Sequence, residues 1–105
     1  MITEERLKNS PQLRVICNEL ERKEEQALTA DGYDNAIVGL SYDNRVVYDV
    51  DKCIAILQDR DGMRHEEAIE FFCFNTLRAT DYEDPTKSPI FMVSIEEMEN
   101  YGKDT

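Results

Sequence analysis

The sequence predicts an α+β domain in which a small antiparallel sheet, a hairpin plus a third strand, packs against helices. Two apolar, β-type runs follow one another closely in the chain and are separated by two residues that favour a tight turn. Amphipathic segments with recognisable capping residues lie before and after those runs. The predicted order is α-β-β-α-α-β-α in a single domain at residues 1–105, because 105 residues leave no room for two ordinary domains.

The first helix is predicted at residues 11–28. Ser10 can cap this helix, and Pro11 then takes the first helical position, where its missing N–H costs nothing. An apolar stripe opposite a charged side is typical of a helix that packs on a core. The pattern also allows a shorter helical turn at residues 3–8, and we expect Asp31-Gly32 to end the long helix.

The hairpin is the clearest local signal in the sequence. Residues 36–42 and 45–50 are β-type runs joined by Asp43-Asn44, and both turn residues tolerate positive φ. Gly39 lies inside the first run and indicates a β-bulge or a close neighbour above the strand.

Capping and breaking residues place the next two helices. Asp51 is a candidate N-cap for a helix at residues 52–60, which Asp61-Gly62 then ends. Residues 64–79 predict a second helix, whose apolar residues occupy more than one face. We therefore expect it to be the buried, central element of the fold.

The C-terminal part of the chain predicts one more strand and one more helix. Residues 89–94 form an apolar run that we expect to pair with the hairpin. Ser94 and Glu97 have the spacing of a capping box, which predicts a short last helix that ends near Tyr101.

The composition restricts the partners of the protein. The formal net charge is −11, and phosphate backbones and anionic membranes repel such a chain. We therefore expect no direct nucleic-acid binding and no membrane association, and basic protein surfaces or cations are the natural partners. No apolar run approaches the length of a membrane span, and the N-terminus lacks a signal-peptide pattern, which favours a cytoplasmic location.

The chain has three cysteines, an odd number, and they are widely spaced and surrounded by apolar residues. They are Cys17, Cys53 and Cys73. This pattern predicts free, buried thiols in a reducing compartment and no disulfide framework.

Residues 60–75 invite a test for chemistry, because they contain the single histidine together with acids and a cysteine. Residues 59–62 superficially resemble a calcium loop but fit no register of one. His65 is followed four residues later by Ile69, where a zinc motif needs a second histidine. His65 and Cys73 would lie roughly 12 Å apart along a helix, too far for a cysteine–histidine nucleophile. We therefore predict no metal site, no cofactor and no catalytic residues.

Two surfaces remain as candidates for binding. The loop at residues 31–35 mixes acids, an aromatic residue and an amide just before the first strand. The predicted central helix carries two acids in its first turn and, further along, an asparagine that we expect either to be a buried amide bonded to a loop backbone or to line a pocket. The candidate binding residues are Asp31, Tyr33, Asp34, Glu66, Glu67 and Asn75.

Three segments, DNAIVGL, VVYDVDKCIAIL and RDGMRHEEAIEFFCFN, resemble a group of small, acidic, uncharacterised proteins found largely in bacteriophages. Similar patterns in that group are D-x-A-I-x-G, V-Y-D-x-x-K-C-I and R-D-G-M-x-x-E-E-A-x-x-x-F-x-x-N. The likeness covers about residues 34–75 and recurs weakly at PIF. Arg64 departs from the small capping residue expected after Met63, which weakens the predicted N-cap. The resemblance implies a phage origin and an accessory role, and it carries no activity.

These observations favour a small, acidic, non-enzymatic protein of phage type, acting in the host cytoplasm by binding a host or phage protein in an accessory or anti-defence role. One alternative is a DNA mimic that inhibits a DNA-binding protein, to which the acids of residues 19–25 and those of the predicted C-terminal helix could contribute. Another is a small enzyme or ligand-binding domain, whose sign would be a pocket uniting Asn75, Tyr48 and Asp34. A third is a structural homo-oligomer, whose sign would be an exposed apolar face on the sheet.

Overall fold

The computed structural model describes residues 2–77 and 85–98, and it confirms the α+β class and the predicted order of elements. A 3₁₀ turn at Asp34–Ala36 precedes the first strand, the fourth helix runs on as a π-helix at Phe72–Leu77, and residues 95–98 form a helical turn. The main elements are α1 (Glu4–Asn9), α2 (Pro11–Arg22), β1 (Ile37–Leu40), β2 (Val46–Asp49), α3 (Val50–Asp61), α4 (His65–Phe71) and β3 (Ile90–Met92).

The sheet is mixed, where the sequence predicted an antiparallel one. Its strand order is β1-β2-β3; β1 pairs with β2 antiparallel, and β3 pairs with β2 parallel. The chain leaves β2 directly into α3 and α4 and returns to β3 only afterwards. A crossover of that length can bring the third strand back in either direction, so the apolar run alone did not determine it.

The first strand contains the predicted β-bulge. Ile37 is paired with Tyr48, and the next pair is Gly39 with Val47, so Val38 is an extra residue on β1. An added Cβ at Gly39 would meet no atom within 4 Å, which excludes the close neighbour that was the other explanation for this glycine.

The hairpin turn is one residue longer than the sequence predicted. The amide of Ser41 donates to the carbonyl of Arg45 at 2.8 Å, and the loop between them has three residues. Asn44 takes the left-handed conformation with φ of 64°, as in the three-residue turns that end in a bulge. The prediction that Asn44 tolerates positive φ is confirmed, whereas the prediction of a two-residue turn is wrong.

Helix α2 begins as predicted and ends earlier than predicted. Ser10 accepts a hydrogen bond from the amide of Leu13 at 3.2 Å, which confirms the N-cap. The helix ends at Arg22 instead of residue 28, because Glu24 turns into the left-handed region with φ of 57°. The amide of Glu25 then donates to the carbonyl of Leu20 at 2.9 Å, which is the bond of a Schellman motif. A glutamate in the position usually held by glycine gives no sequence signal.

Helix α3 begins two residues before the predicted position. Its N-cap is Asp49, whose carboxylate accepts from the amide of Lys52 at 3.2 Å, and Asp51 lies in the first turn. The predicted end is confirmed, since Gly62 closes the helix with φ of 66°.

After β3, the hydroxyl of Ser94 accepts a hydrogen bond from the amide of Glu97 at 3.2 Å, as the capping box predicted. The predicted end of the last helix near residue 101 lies outside the described residues.

The core lies between one face of the sheet and helices α2, α3 and α4. A row of aromatic rings crosses it. The ring centroids of Tyr48 in β2 and Phe91 in β3 are 5.4 Å apart, and those of Phe91 and Phe72 are 5.2 Å apart. Phe72 in turn meets Tyr33 edge-to-face at 5.9 Å. These contacts join the two later strands to the π-helix and to the loop before β1.

Helix α4 is not the buried, central element that its apolar composition predicted. On α4 and the π-helix, only Ala68, Phe72 and Thr76 are buried among the side chains that the structure describes. These three lie four residues apart and form one narrow line against the core. Phe71 is 38% exposed and Phe74 is 60% exposed, so a large part of the apolar surface faces solvent.

Gly62 provides a test of the helix end. Gly62→Ala should lower the free energy of unfolding by about 1 kcal/mol, because alanine is strained in the left-handed region. An added Cβ meets nothing within 4 Å at Gly62 or at Gly39, so Gly39→Ala is a matched control in which only the backbone conformation differs. It should leave the stability unchanged or slightly raised. Urea unfolding followed by circular dichroism measures both, and equal losses in the two variants would contradict the assignment.

Candidate functional site

The loop at residues 29–35 is held in place by Arg6 of helix α1. The Nε of Arg6 donates to one carboxylate oxygen of Asp34 at 2.9 Å, and Nη2 donates to the other at 2.7 Å. Nη1 lies 3.1 Å from the carboxylate of Asp31, and Nη2 also reaches the hydroxyl of Thr29 at 3.3 Å. The side chains of Arg6 and Asp34 are mostly buried, so this bidentate pair is shielded from water.

Three further hydrogen bonds attach the same loop to other elements. The hydroxyls of Tyr33 and Thr76 lie 2.8 Å apart, which connects the loop to the π-helix. The amide of Ala30 donates to the hydroxyl of Tyr48 at 2.8 Å, and Nη1 of Arg60 donates to the carbonyl of Gly32 at 2.8 Å. The structure therefore brings the candidates Asp31, Tyr33 and Asp34 together, but it uses Tyr33 and Asp34 to hold the fold. Asp31 has a 77% exposed side chain and is the member of this group that faces solvent.

A depression of about 430 Å³, lined mostly by polar residues, lies beside this loop. Asp34 lines it, whereas Tyr48 and Asn75 do not. Tyr48 is fully buried, and Asn75 is exposed on the π-helix. The three residues that a ligand-binding domain was expected to unite are therefore not joined in this depression. Its lining residues are Asn9, Ser10, Gly32, Asp34, Asn35, Ile56, Asp59 and Arg60.

A second depression, which we name the α4 groove, has a different chemistry. Its volume is about 300 Å³, and it combines apolar side chains with two carboxylates. Most of its residues recur at helical spacing along one side of α4 and the π-helix. The residues that line the α4 groove are Met63, Glu67, Glu70, Phe71, Phe74 and Asn75.

The sequence predicted only part of the α4 groove. Glu67 and Asn75 are candidate binding residues, whereas Phe71 and Phe74 belong to the helix that the sequence predicts as buried. No sequence signal separates Phe71 and Phe74 from Phe72, because the three side chains are equally apolar. Only the structure shows that the line through Ala68, Phe72 and Thr76 is the buried one.

Three predicted site residues lie on α4 and the π-helix, namely Glu66, Glu67 and Asn75. Glu67 accepts from the backbone amide and from Nε of Arg64, both at 3.3 Å, so it caps the helix in place of a small N-cap side chain. The backbone hydrogen bond and then the side-chain bond from Arg64 hold the pKa of Glu67 below its usual value. Asn75 is exposed and donates to the carbonyl of Phe71 at 3.2 Å, so the expectation of a buried amide is wrong. Glu66 is exposed beside Glu67.

The three cysteines have three different surroundings. Cys53 is fully buried, and burial, with a smaller effect of Asp49, raises the pKa of its thiol to about 12. Cys17 is half-buried, and burial likewise raises its pKa. Cys73 is exposed, which corrects the prediction of three buried thiols, because it lies outside the single buried line of the π-helix.

Residues 2–77 and 85–98 contain neither a cluster suited to a metal ion nor a helix suited to span a membrane. In that part of the chain, no group of three or more histidine, cysteine, aspartate or glutamate side chains is arranged to hold a metal ion. None of the helices described there combines the length and the apolar character that a membrane span requires.

Comparisons with known proteins identified no relative. No protein-family model matches the chain, no curated protein matches it, and no solved structure matches it. The surfaces of the fold, its charge and the chemistry of its side chains are therefore the basis for a functional proposal.

Arg6 offers a test of how the loop is held. Arg6→Ala should lower the free energy of unfolding by about 2 kcal/mol, because it leaves the shielded carboxylate of Asp34 without its charged partner. Arg22 is the matched control, since it makes the same bidentate contact with Glu19, at 3.0 and 2.7 Å, on the exposed surface of α2. Arg22→Ala should change the stability little. Equal effects in urea unfolding would show that the Arg6 cluster does not hold the loop.

Thiol labelling tests the surroundings of the cysteines. A disulfide reagent at about pH 8 should modify Cys73 first and Cys17 more slowly, and Cys53 only after unfolding. A pKa of about 12 leaves about one thiolate in ten thousand at Cys53 under these conditions, and burial also blocks access. The release of the chromophore measures the rates, and Cys73→Ser should remove the fast phase. Rapid modification of Cys53 in the folded protein would contradict the structure.

Proposed function

We propose that this chain is a small, acidic, non-enzymatic protein of phage type that acts by binding a host or phage protein with a basic surface in the cytoplasm. The observation that carries the proposal is the combination of a net charge of −11 with the α4 groove, where exposed phenylalanines lie beside carboxylates. Charge of this kind accelerates the encounter with a basic surface, and the apolar side chains prolong the contact.

The exposed aromatic residues support a protein partner. Phe71 and Phe74 are large apolar side chains on a continuous helical surface, and Ile69 on the same helix is 40% exposed. Aromatic residues are enriched at protein interfaces relative to the rest of a protein surface. An exposed apolar surface with a polar border is also typical of an interaction site on a monomer.

The acids at residues 19–25 give little support to the alternative of a DNA mimic. Glu19 is paired with Arg22 at 2.7 Å and with Lys23 at 3.8 Å, so local cations offset its charge. The chain also leaves the helix and turns at Glu24. The acids in this block therefore do not form a regular row of unpaired charges along one helix.

Affinity capture tests the proposed function. The immobilised protein is incubated with nuclease-treated bacterial lysate at low and at high salt, and the retained proteins are identified by mass spectrometry. We expect one or a few proteins with a basic surface to be retained at low salt and reduced at high salt, because salt screens the attraction.

An unrelated folded protein of similar size and net charge serves as the control bait and removes simple ion exchange from the result. Retention of the same proteins by both baits would contradict the proposal. A thermal shift produced by a metabolite, with no protein captured, would favour the ligand-binding alternative instead.

A further inference from the structure

We propose that the α4 groove binds an arginine or lysine side chain carried on an amphipathic segment of the partner protein. This inference rests on the proposed function and adds to it the site and the kind of residue that the site recognises. Three observations support it: the shape of the groove, its charge, and the way the π-helix presents its aromatic residues.

The groove suits the stem of one long side chain. It is a shallow depression of about 300 Å³, and Met63, Phe71 and Phe74 form its low apolar walls. Arginine and lysine have apolar stems that pack on such walls while the charged end stays near polar groups. The face of an aromatic ring such as that of Phe71 also attracts a cation directly, because it carries a negative partial charge.

The carboxylates of the groove suit the charged end of that side chain. Glu67 and Glu70 both line the groove, and Glu66 is exposed on the same helix. Neither Glu66 nor Glu70 is in an ion pair among the residues that the structure describes. Glu67 contacts Arg64, which is itself 79% exposed, so this pair is accessible to a competing cation. A guanidinium or ammonium group would form charge-assisted hydrogen bonds with these oxygens.

The π-helix determines which aromatic side chains face the groove. Phe72 and Thr76 are buried, whereas the three residues between them, Cys73, Phe74 and Asn75, are exposed. Phe72 therefore contributes to the core, and Phe74 is presented to solvent two residues later. π-helical segments occur often at functional sites, where they change the direction of side chains.

The net charge selects among possible occupants of the groove. A second copy of the chain would bring another net charge of −11 and is therefore repelled. Nucleic acids and anionic ligands are repelled for the same reason. A cationic, amphipathic segment satisfies both the apolar walls and the carboxylates, and recognition of a helical segment in a groove follows this pattern.

An NMR titration tests the inference. The ¹⁵N-labelled protein is titrated with a synthetic helical peptide that carries leucine and arginine on one face, and with the same peptide in which glutamine replaces arginine. We expect chemical-shift changes concentrated at residues 63–75 with the arginine peptide. The glutamine peptide should bind about tenfold more weakly, because it keeps the helix and the apolar contacts and loses the charge.

Two pairs of variants locate the site. Phe74→Ala and Glu70→Gln should each weaken binding of the arginine peptide several-fold. The effect of Glu70→Gln should be restricted to this peptide, whereas Phe74→Ala should also weaken the glutamine peptide, which keeps the apolar contacts. Val15→Ala and Glu21→Gln on α2 are the matched controls, because they remove an exposed apolar side chain and an exposed acid elsewhere on the surface. The controls should bind the peptide as the unchanged protein does.

Several results would overturn the inference. Shift changes centred outside residues 63–75, or equal losses in the controls and the groove variants, would mean that cationic segments bind elsewhere; the proposed function would then stand without this site. Concentration-dependent shifts at α4 without peptide would mean that a second copy occupies the groove. No binding of either peptide would also overturn it, and affinity capture would then decide separately whether the protein binds a basic partner.

Discussion

The rest of the structure depends on the ion pair between Arg6 and Asp34. Helix α1 buries none of its residues, so its attachment to the fold depends on this contact and on partial packing of Leu7 against the core. The same pair fixes the loop from which β1 begins, and the hydroxyl of Tyr48 holds that loop from the strand side. A shielded, bidentate contact between residues far apart in sequence thus joins the N-terminal helix to the start of the sheet.

The local parts of the fold could be predicted from the sequence because their causes are local. Ser10 caps α2 and Gly62 ends α3 through bonds and backbone angles that involve a few neighbouring residues. The direction of β3 and the exposure of α4 could not be predicted in this way, because they depend on how distant elements meet. The same limit applies to the α4 groove: Glu67 was a candidate as an exposed acid, whereas Phe74 has the same apolar character whether it faces the core or solvent.

The charged residues divide into those paired within the chain and an excess of acids. Several of the basic residues are already paired with acids of the same chain, and the pairs include Arg6 with Asp34, Arg22 with Glu19, and Arg60 with Asp61. Because acids outnumber bases 23 to 12, a large excess of carboxylates remains for the surface. The charged groups therefore have two uses: a few hold the loop and the helix ends, and the remainder create a negative field around the fold.

The parallel pairing of β3 has a consequence for the order of folding. The hairpin pairs Gly39 with Val47, which are close in sequence, whereas Val47 pairs on its other side with Ile90, more than forty residues later. Closing the longer loop costs more chain entropy, and α3 and α4 lie within it. We therefore expect the hairpin and α3 to form first and β3 to join the sheet last. During that interval one edge of β2 is open, so the newly made chain is most prone to strand exchange with another copy before its own third strand arrives.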